Sequence, residues 1–131
     1  MNNCVIFDLD GTLCELQDST DPYAHSWTEQ LIYPIYEEMD KEWCPLDVTI
    51  IILTGRHYRY HDITVKWLEE NNVPYDHLIM CKDGQPEENH IFKKRVLRML
   101  SQMYDIQMVY DDNYEVEKVC RKLKIPFYPC Y

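Results

Sequence analysis

Glycine is scarce, with three residues in 131, and no apolar run approaches the ~20 residues that a membrane span requires. No C-x-x-C pair, no H-E-x-x-H and no G-x-x-x-x-G-K-[ST] occurs, which removes the usual zinc ligand pairs, zinc-protease helices and nucleotide P-loops. The N-terminus lacks the basic flank and long apolar core of a secretory signal, so a cytoplasmic location is expected. Without such a signal the six cysteines read as free thiols, with Cys4 and Cys81 as small core residues in strands. Basic residues are also few: 13 against 23 acidic, a formal charge of -10. That balance excludes broad coating of nucleic acid, a mode that needs many cations against phosphates. A small phosphate ester, or the end of a strand, stays compatible because local charge can oppose the global sign.

What remains is 46% apolar and 13% aromatic, enough for the core of one soluble domain over residues 1–131. Apolar β-rich runs alternate with helical patterns. Strands are expected at Asn3 to Phe7, Val48 to Leu53, Leu78 to Cys81, Gln107 to Tyr110 and Pro126 to Tyr128, the second being the most β-branched and hence the expected central strand. Helices are expected at Pro34 to Trp43, Tyr60 to Asn71, Ile91 to Tyr104 and Tyr114 to Lys124, with Pro34 in the first turn of its helix. Val96, Leu97, Leu100, Met103 and Tyr104 recur at helical spacing and mark the core face of the third helix. Polar stretches at Glu15 to Pro22 and Lys82 to Asn89 read as surface loops. The alternation predicts an α/β fold, a central parallel sheet with helices on both faces.

In such a sheet ligands bind beyond the carboxyl ends of the strands. Asp8, Asp10, Gly11 and Thr12 follow the first strand, Thr54, Gly55 and Arg56 the second, and Asp111 and Asp112 the fourth. Four carboxylates, a hydroxyl and a guanidinium thus reach one edge, and two of the three glycines stand where backbone N–H groups could approach an anion. Each piece has a plainer reading. D-x-D-G opens calcium loops, but such a loop wants a third oxygen ligand two residues on and a glutamate at loop position twelve, where this sequence has Thr12 and Ser19. The acidic pair at Asp111 could cap a helix and supply its first-turn acid, and Thr54-Gly55 is ordinary turn chemistry. Their coincidence at one edge favours a site. His57, His61 and His77 lack metal-pair spacing, and most of the eleven tyrosines fall where core packing is the commoner use; Tyr23, Trp27 and Tyr58 flank the motif loops instead. Trp67, at helical spacing from Ile63, reads as core.

The ordered set "VIFDLDGTL", "TIIILT", "HIFKKRVL" and "QMVYDD" resembles the four motifs of the haloacid dehalogenase superfamily of phosphotransferases. The resemblance implies a three-layer Rossmann-like core and an aspartyl-phosphate mechanism. Asp8 would be the nucleophile and Asp10 the general acid and then base. Thr54 and the motif lysine would hold the phosphoryl oxygens. Mg²⁺ would be held by Asp8, the backbone carbonyl of Asp10 and one of Asp111 and Asp112. Helical phase favours Lys93 over Lys94 as the lysine, since Lys93 shares the side of Val96, Leu97 and Leu100. Neither interval between the motifs has room for a cap domain, so a capless member is expected.

A nearer resemblance is to the phosphatase domain of bifunctional polynucleotide kinase-phosphatases. It is carried by the proline-led helix at Pro34, Gly55-Arg56, Trp67, "DHLIMCKDGQPEENHIFK", and a final strand after the paired acids at Ile125 to Tyr128. It implies a phosphatase standing without its kinase, acting on polynucleotide 3′-phosphate ends or nucleotides, with Gly55 and Arg56 binding substrate and Arg56, His57, Tyr58, Arg59 and Lys82 reaching beyond the phosphate. A phosphatase of small metabolites or phosphoproteins, or a non-catalytic binding protein on the same fold, is the alternative.

Overall fold

The computed structural model describes residues 1–15, 30–82 and 89–131. The interiors of both expected loops, with Tyr23 and Trp27, lie outside the described residues. Strand β1 (Asn2–Phe7) leads to helix α1 (Tyr33–Glu38), which continues into a wider π-type turn over Met39–Trp43 where the Cys44 N–H bonds back to the Met39 carbonyl. Pro sits in the first turn of α1, where its missing N–H removes no helical hydrogen bond. Strand β2 (Thr49–His57), a 3₁₀ turn (Tyr58–Tyr60) and helix α2 (His61–Glu70) come next. Then follow β3 (His77–Cys81), α3 (Asn89–Met103), β4 (Tyr104–Asp111), α4 (Tyr114–Leu123) and β5 (Phe127–Pro129).

All five strands run parallel in the order β3-β2-β1-β4-β5. The centre is therefore β1 and not β2, as β-branching had suggested. Both are interior strands buried on two faces, and branching reports that burial without ranking them. Strand side chains alternate between two cores with the period of two that pleating imposes. Cys4, Ile6, Ile51 and Leu53 meet Val96, Leu97, Leu100, Val116 and Val119 under α3 and α4. Val5, Phe7, Ile50 and Ile52 meet Ile35, Met39, Trp67 and Leu68 under α1 and α2. Met103, placed on the core face by spacing, is instead exposed at the end of α3. The tyrosines also depart from the core reading: among the described residues only Tyr110 is buried, stacked on Phe7 at 4.4 Å. A tyrosine needs a partner for its hydroxyl when it enters a core, and Tyr110 has one in the Trp43 indole N–H, 2.8 Å away.

All six cysteines are free thiols, Cys4 and Cys81 buried among them. Among the described residues no helix is long and apolar enough to cross a membrane. Every described strand and helix belongs to the sheet or packs on it, and the carboxyl ends of the parallel strands lie at one edge.

Candidate active site

β1 delivers Asp8 directly after its last residue, with the Asp8 N–H still bonded across the sheet to the Tyr110 carbonyl at 2.8 Å. The chain then turns tightly about one acceptor: the Leu9 carbonyl takes the N–H groups of Thr12, Leu13 and Cys14 at 3.2, 2.9 and 3.1 Å. Gly11 makes this turn at φ +81°, a conformation that L side chains rarely adopt. A Cβ there would also collide with the Asp112 carboxylate. The glycine thus serves two ends, the turn and the close approach of the loop after β4.

Asp8 is 6% exposed and forms an ion pair at 2.8 Å with Lys93, which bonds Asp111 at 2.7 Å on its other side. Lys93 is 1% exposed and lies beneath the site, with an acid on either side. It reaches this position from the second turn of α3, on the face that carries Val96 and Leu97, while Lys94 is turned toward α4. Asp111 completes its contacts by accepting the Asn113 N–H at 2.9 Å. Asn113, not Asp111, caps α4, its side chain accepting from the Glu115 N–H at 2.8 Å.

One carboxylate oxygen from each of Asp8, Asp111 and Asp112 lies within 4.8 Å of the others. Three carboxylates against one ammonium leave excess negative charge in a partly desolvated place. Burial and then Asp8 push Asp111 up to about 7 against the pull of Lys93, and the same two causes push Asp112 up to about 6. Burial works against the charge on Lys93, but Asp8 and Asp111 outweigh it and raise the ammonium above its ordinary range. Hard oxygen donors short of positive charge fit Mg²⁺. Asp8 and Asp112 both line the open cavity, whereas Asp111 does not and is turned to Lys93.

That cavity, about 360 Å³, is walled by Asp8, Asp10, Thr54, Gly55, Arg56, His57, Tyr60, Asn89, Asp112 and Asn113. Thr54 is 1% exposed; its hydroxyl accepts the Arg56 N–H at 3.2 Å, leaving its own proton to donate into the cavity. Gly55 lies against Asn89, so closely that a Cβ would collide with the Asn89 amide. Arg56 lines the cavity as well. It is 3% exposed, its Nε donates to Asp10 Oδ2 at 2.8 Å and its Nη2 to Asp10 Oδ1 at 2.6 Å. Nη1 donates to Thr64 at 3.2 Å, and Thr64 in turn donates to the Tyr60 carbonyl at 2.7 Å. A guanidinium fixed on both edges holds Asp10 in place. Tyr58, exposed, stacks on His61 at 4.8 Å outside the cavity, and Lys82 is exposed.

Cys14 also lies beside Asp10, its Sγ 3.7 Å from Oδ1. Burial, reinforced by the Asp10 charge, pushes that thiol far above its ordinary value, so it offers no thiolate nucleophile. His57, expected beside the substrate, lines the cavity, whereas Tyr60, Asn89 and Asn113 were not assigned to it from the sequence. One of these had a usable signal: Asn113 follows the paired acids, one step beyond a strand-end motif.

Solved structures share this arrangement of elements. The chain is similar to one in the Pnkp1/Rnl/Hen1 RNA repair complex, at 29% identity and a TM-score of 0.85 over 98% of its length and 42% of that chain. A second Pnkp1/Rnl/Hen1 complex gives 28% identity and a TM-score of 0.86, over 98% of this chain and 46% of the other. The chain therefore spans less than half the length of the solved chains it matches. Residues 2–130, all but Met1 and Tyr131, match the polynucleotide kinase PNKP phosphatase domain, and with that match the chain belongs to this family of haloacid dehalogenase phosphatases.

Proposed function

We propose that the chain is a Mg²⁺-dependent phosphomonoesterase for polynucleotide ends, 3′-phosphates in particular, working through an aspartyl phosphate on Asp8. The observation that carries this reading is the pairing of roles at the end of β1. Asp8 faces the cavity with Lys93 behind it, and Asp10, two residues on, is held by Arg56. Substrate class is supported by the family and by the RNA repair complex in which a relative is found.

In the first half of the reaction an Asp8 carboxylate oxygen attacks phosphorus, the bond to the ester oxygen breaks, and Asp10 gives its proton to the departing alkoxide. In the second half water attacks the phosphoryl group, Asp10 takes the proton, and phosphate leaves as Asp8 returns to a carboxylate. The Arg56 ion pair suits the stage at which Asp10 is a carboxylate waiting for that proton. The Thr54 hydroxyl donates to a phosphoryl oxygen. Lys93, buried and bonded to both Asp8 and Asp111, orients Asp8 and offsets the charge of the two carboxylates. Asp8 and Asp112, with the Asp10 carbonyl, would hold Mg²⁺, which supplies the positive charge a dianionic phosphate needs in so acidic a place.

The test is a panel of 3′- and 5′-phosphorylated oligonucleotides, mononucleotides, sugar phosphates, phosphopeptides and an aryl phosphate, assayed with Mg²⁺ and with chelator. The 3′-phosphorylated oligonucleotide should give the highest kcat/KM, chelation should stop all turnover, and Asp8→Asn should be inactive throughout. Equal kcat/KM for nucleic-acid ends and unrelated small phosphates would leave a general small-molecule phosphatase as the better account.

A further inference from the structure

We propose that the groove between α3 and α4 is a track for the phosphodiester backbone of the strand whose end is processed, an inference that rests on the function proposed above. The groove holds about 240 Å³ and carries four of the chain's 13 lysines and arginines but one of its 23 acids. The cations stand in two facing rows. Lys94 and Arg98 are four residues apart on α3, as are Lys118 and Lys122 on α4. The single acid, Glu115, is taken up by Lys118 at 3.3 Å. Among the described residues no carboxylate pairs with Lys94, Arg98 or Lys122. A charged surface on one helix is ordinarily just solvated, but Lys94 and Arg98 from one helix and Lys122 from the other converge on a common groove, in a chain of net charge -10, as a charge pattern complementary to a row of anions.

The groove also begins where the chemistry is. Asn89, the first residue of α3, and Asn113, the cap of α4, both line the catalytic cavity, and the next residues along each helix line the groove. From His90 to Arg98 the groove runs ~12 Å at the ~1.5 Å rise of a helix. That is room for about two to three successive phosphates of a single strand, which lie farther apart than the ~3.4 Å rise of a duplex. A strand with its terminal phosphate at Asp8 would thus lay its next few phosphates between the rows, while its sugars meet Ile91, Val119 and Leu123 in the groove floor. The acidic remainder of the surface would repel any other path. A small phosphate ester would not touch the groove.

The experiment compares the wild-type chain with the Arg98→Ala/Lys122→Ala double variant and with Lys122→Glu, all at exposed positions outside the catalytic cavity. Substrates are 3′-phosphorylated single strands of one to eight nucleotides, assayed across a salt series, with an aryl phosphate as control. For the wild type, kcat/KM should rise with length up to about four nucleotides and fall with salt. In the double variant the length gain should shrink ~10-fold and the slope of log kcat/KM against log salt should become shallower by about 1.4, at ~0.7 per phosphate released on a single strand. Lys122→Glu should act in the same direction, and the aryl phosphate rate should not change. An unchanged length profile and salt slope in both variants overturns the track, including the case in which the groove serves an acidic protein segment, while leaving the end-phosphatase reading intact if wild type still prefers oligonucleotides. A wild type that prefers no oligonucleotide at all overturns both.

Discussion

Arg56 and Asp10 face each other through two parallel hydrogen bonds, Nε to Oδ2 at 2.8 Å and Nη2 to Oδ1 at 2.6 Å, with the guanidinium 3% exposed. A planar fork on a carboxylate fixes both its position and its plane, which a lysine could not do. The residue expected to hold proton-transfer geometry is therefore itself held by a residue 46 positions away.

Removal of that fork should damage the chemistry for every substrate. Arg56→Ala is expected to lower kcat by about 10²-fold on the aryl phosphate and on an oligonucleotide alike, with little change in KM, a size typical of losing a well-placed acid and base. Arg56→Lys should recover little, because a point charge cannot reproduce two bonds. Steady-state kinetics on both substrates decide the matter: a loss confined to the oligonucleotide would return Arg56 to a substrate-binding role.

Lys93 ties two strand ends together, and its truncation leaves Asp8 and Asp111 to repel each other in a place with little water. Lys93→Ala should destabilise the fold by about 3–5 kcal/mol, the range for breaking a buried ion pair from one side. Urea unfolding measures this directly, and Asp111→Asn combined with Lys93→Met should recover part of the loss while staying inactive. Near-wild-type stability of Lys93→Ala would show that water reaches the cluster freely.

The carboxylates give the metal-free protein a pH signature with a definite sign. Asp111 and Asp112 are raised, to about 7 and about 6, mainly by burial and by Asp8. A raised acid contributes stability that is complete below its unfolded value, ~3.9, and is lost as pH climbs through the folded value. Metal-free thermal stability should thus decline between pH 4 and pH 7 through these groups. Mg²⁺ requires Asp112 ionised, so the stabilisation on adding it, read as a rise in Tm, should be small at pH 5 and largest near pH 8, about a few kcal/mol at saturating metal. Thermal unfolding at several pH values with and without Mg²⁺ checks both trends, and Asp112→Asn should flatten them. A Mg²⁺ effect independent of pH would contradict this account.

Gly55 and Asn89 touch across the mouth of the cavity, where a Cβ on the former would strike the amide of the latter. Gly55→Ala should push the start of α3 outward and cost about 1–3 kcal/mol, the usual range for overpacking. Asn89→Ala in the same chain should restore much of that by vacating the space, a coupling of about 1 kcal/mol in a double-mutant cycle. Additive effects would mean that the two residues do not share the space.

Strand ends and motifs were legible in the sequence because each rests on short-range pattern. Ile50 to Leu53 show two-sided burial as an unbroken apolar run, and Asp8, Thr54 and Asp111 each follow such a run directly. Helical phase chose Lys93 over Lys94 within its motif. Arg56 was legible as a site residue but not as the partner of Asp10, since which strand-end loops meet is set by which strands neighbour each other, a property that local spacing does not encode. The reach of β2 to His57 was hidden for a related reason. Thr54-Gly55 has the composition of a turn, yet β3 resumes pairing with β2 at His57 after a register shift and draws the strand on. Asn89, at the start of a helix after a polar stretch, had no pattern to distinguish it from an ordinary first-turn residue.

The place of β1 in the middle of the sheet has a further bearing on durability. The amide of Asp8 is released from Tyr110 only when β4 parts from β1, and a strand enclosed between two neighbours opens mostly with the whole domain. The nucleophile therefore follows an enclosed strand, while β3 and β5 at the margins can fray without moving it. On heating, phosphatase activity should persist until the cooperative transition itself, with no range of temperature in which a folded but inert protein accumulates.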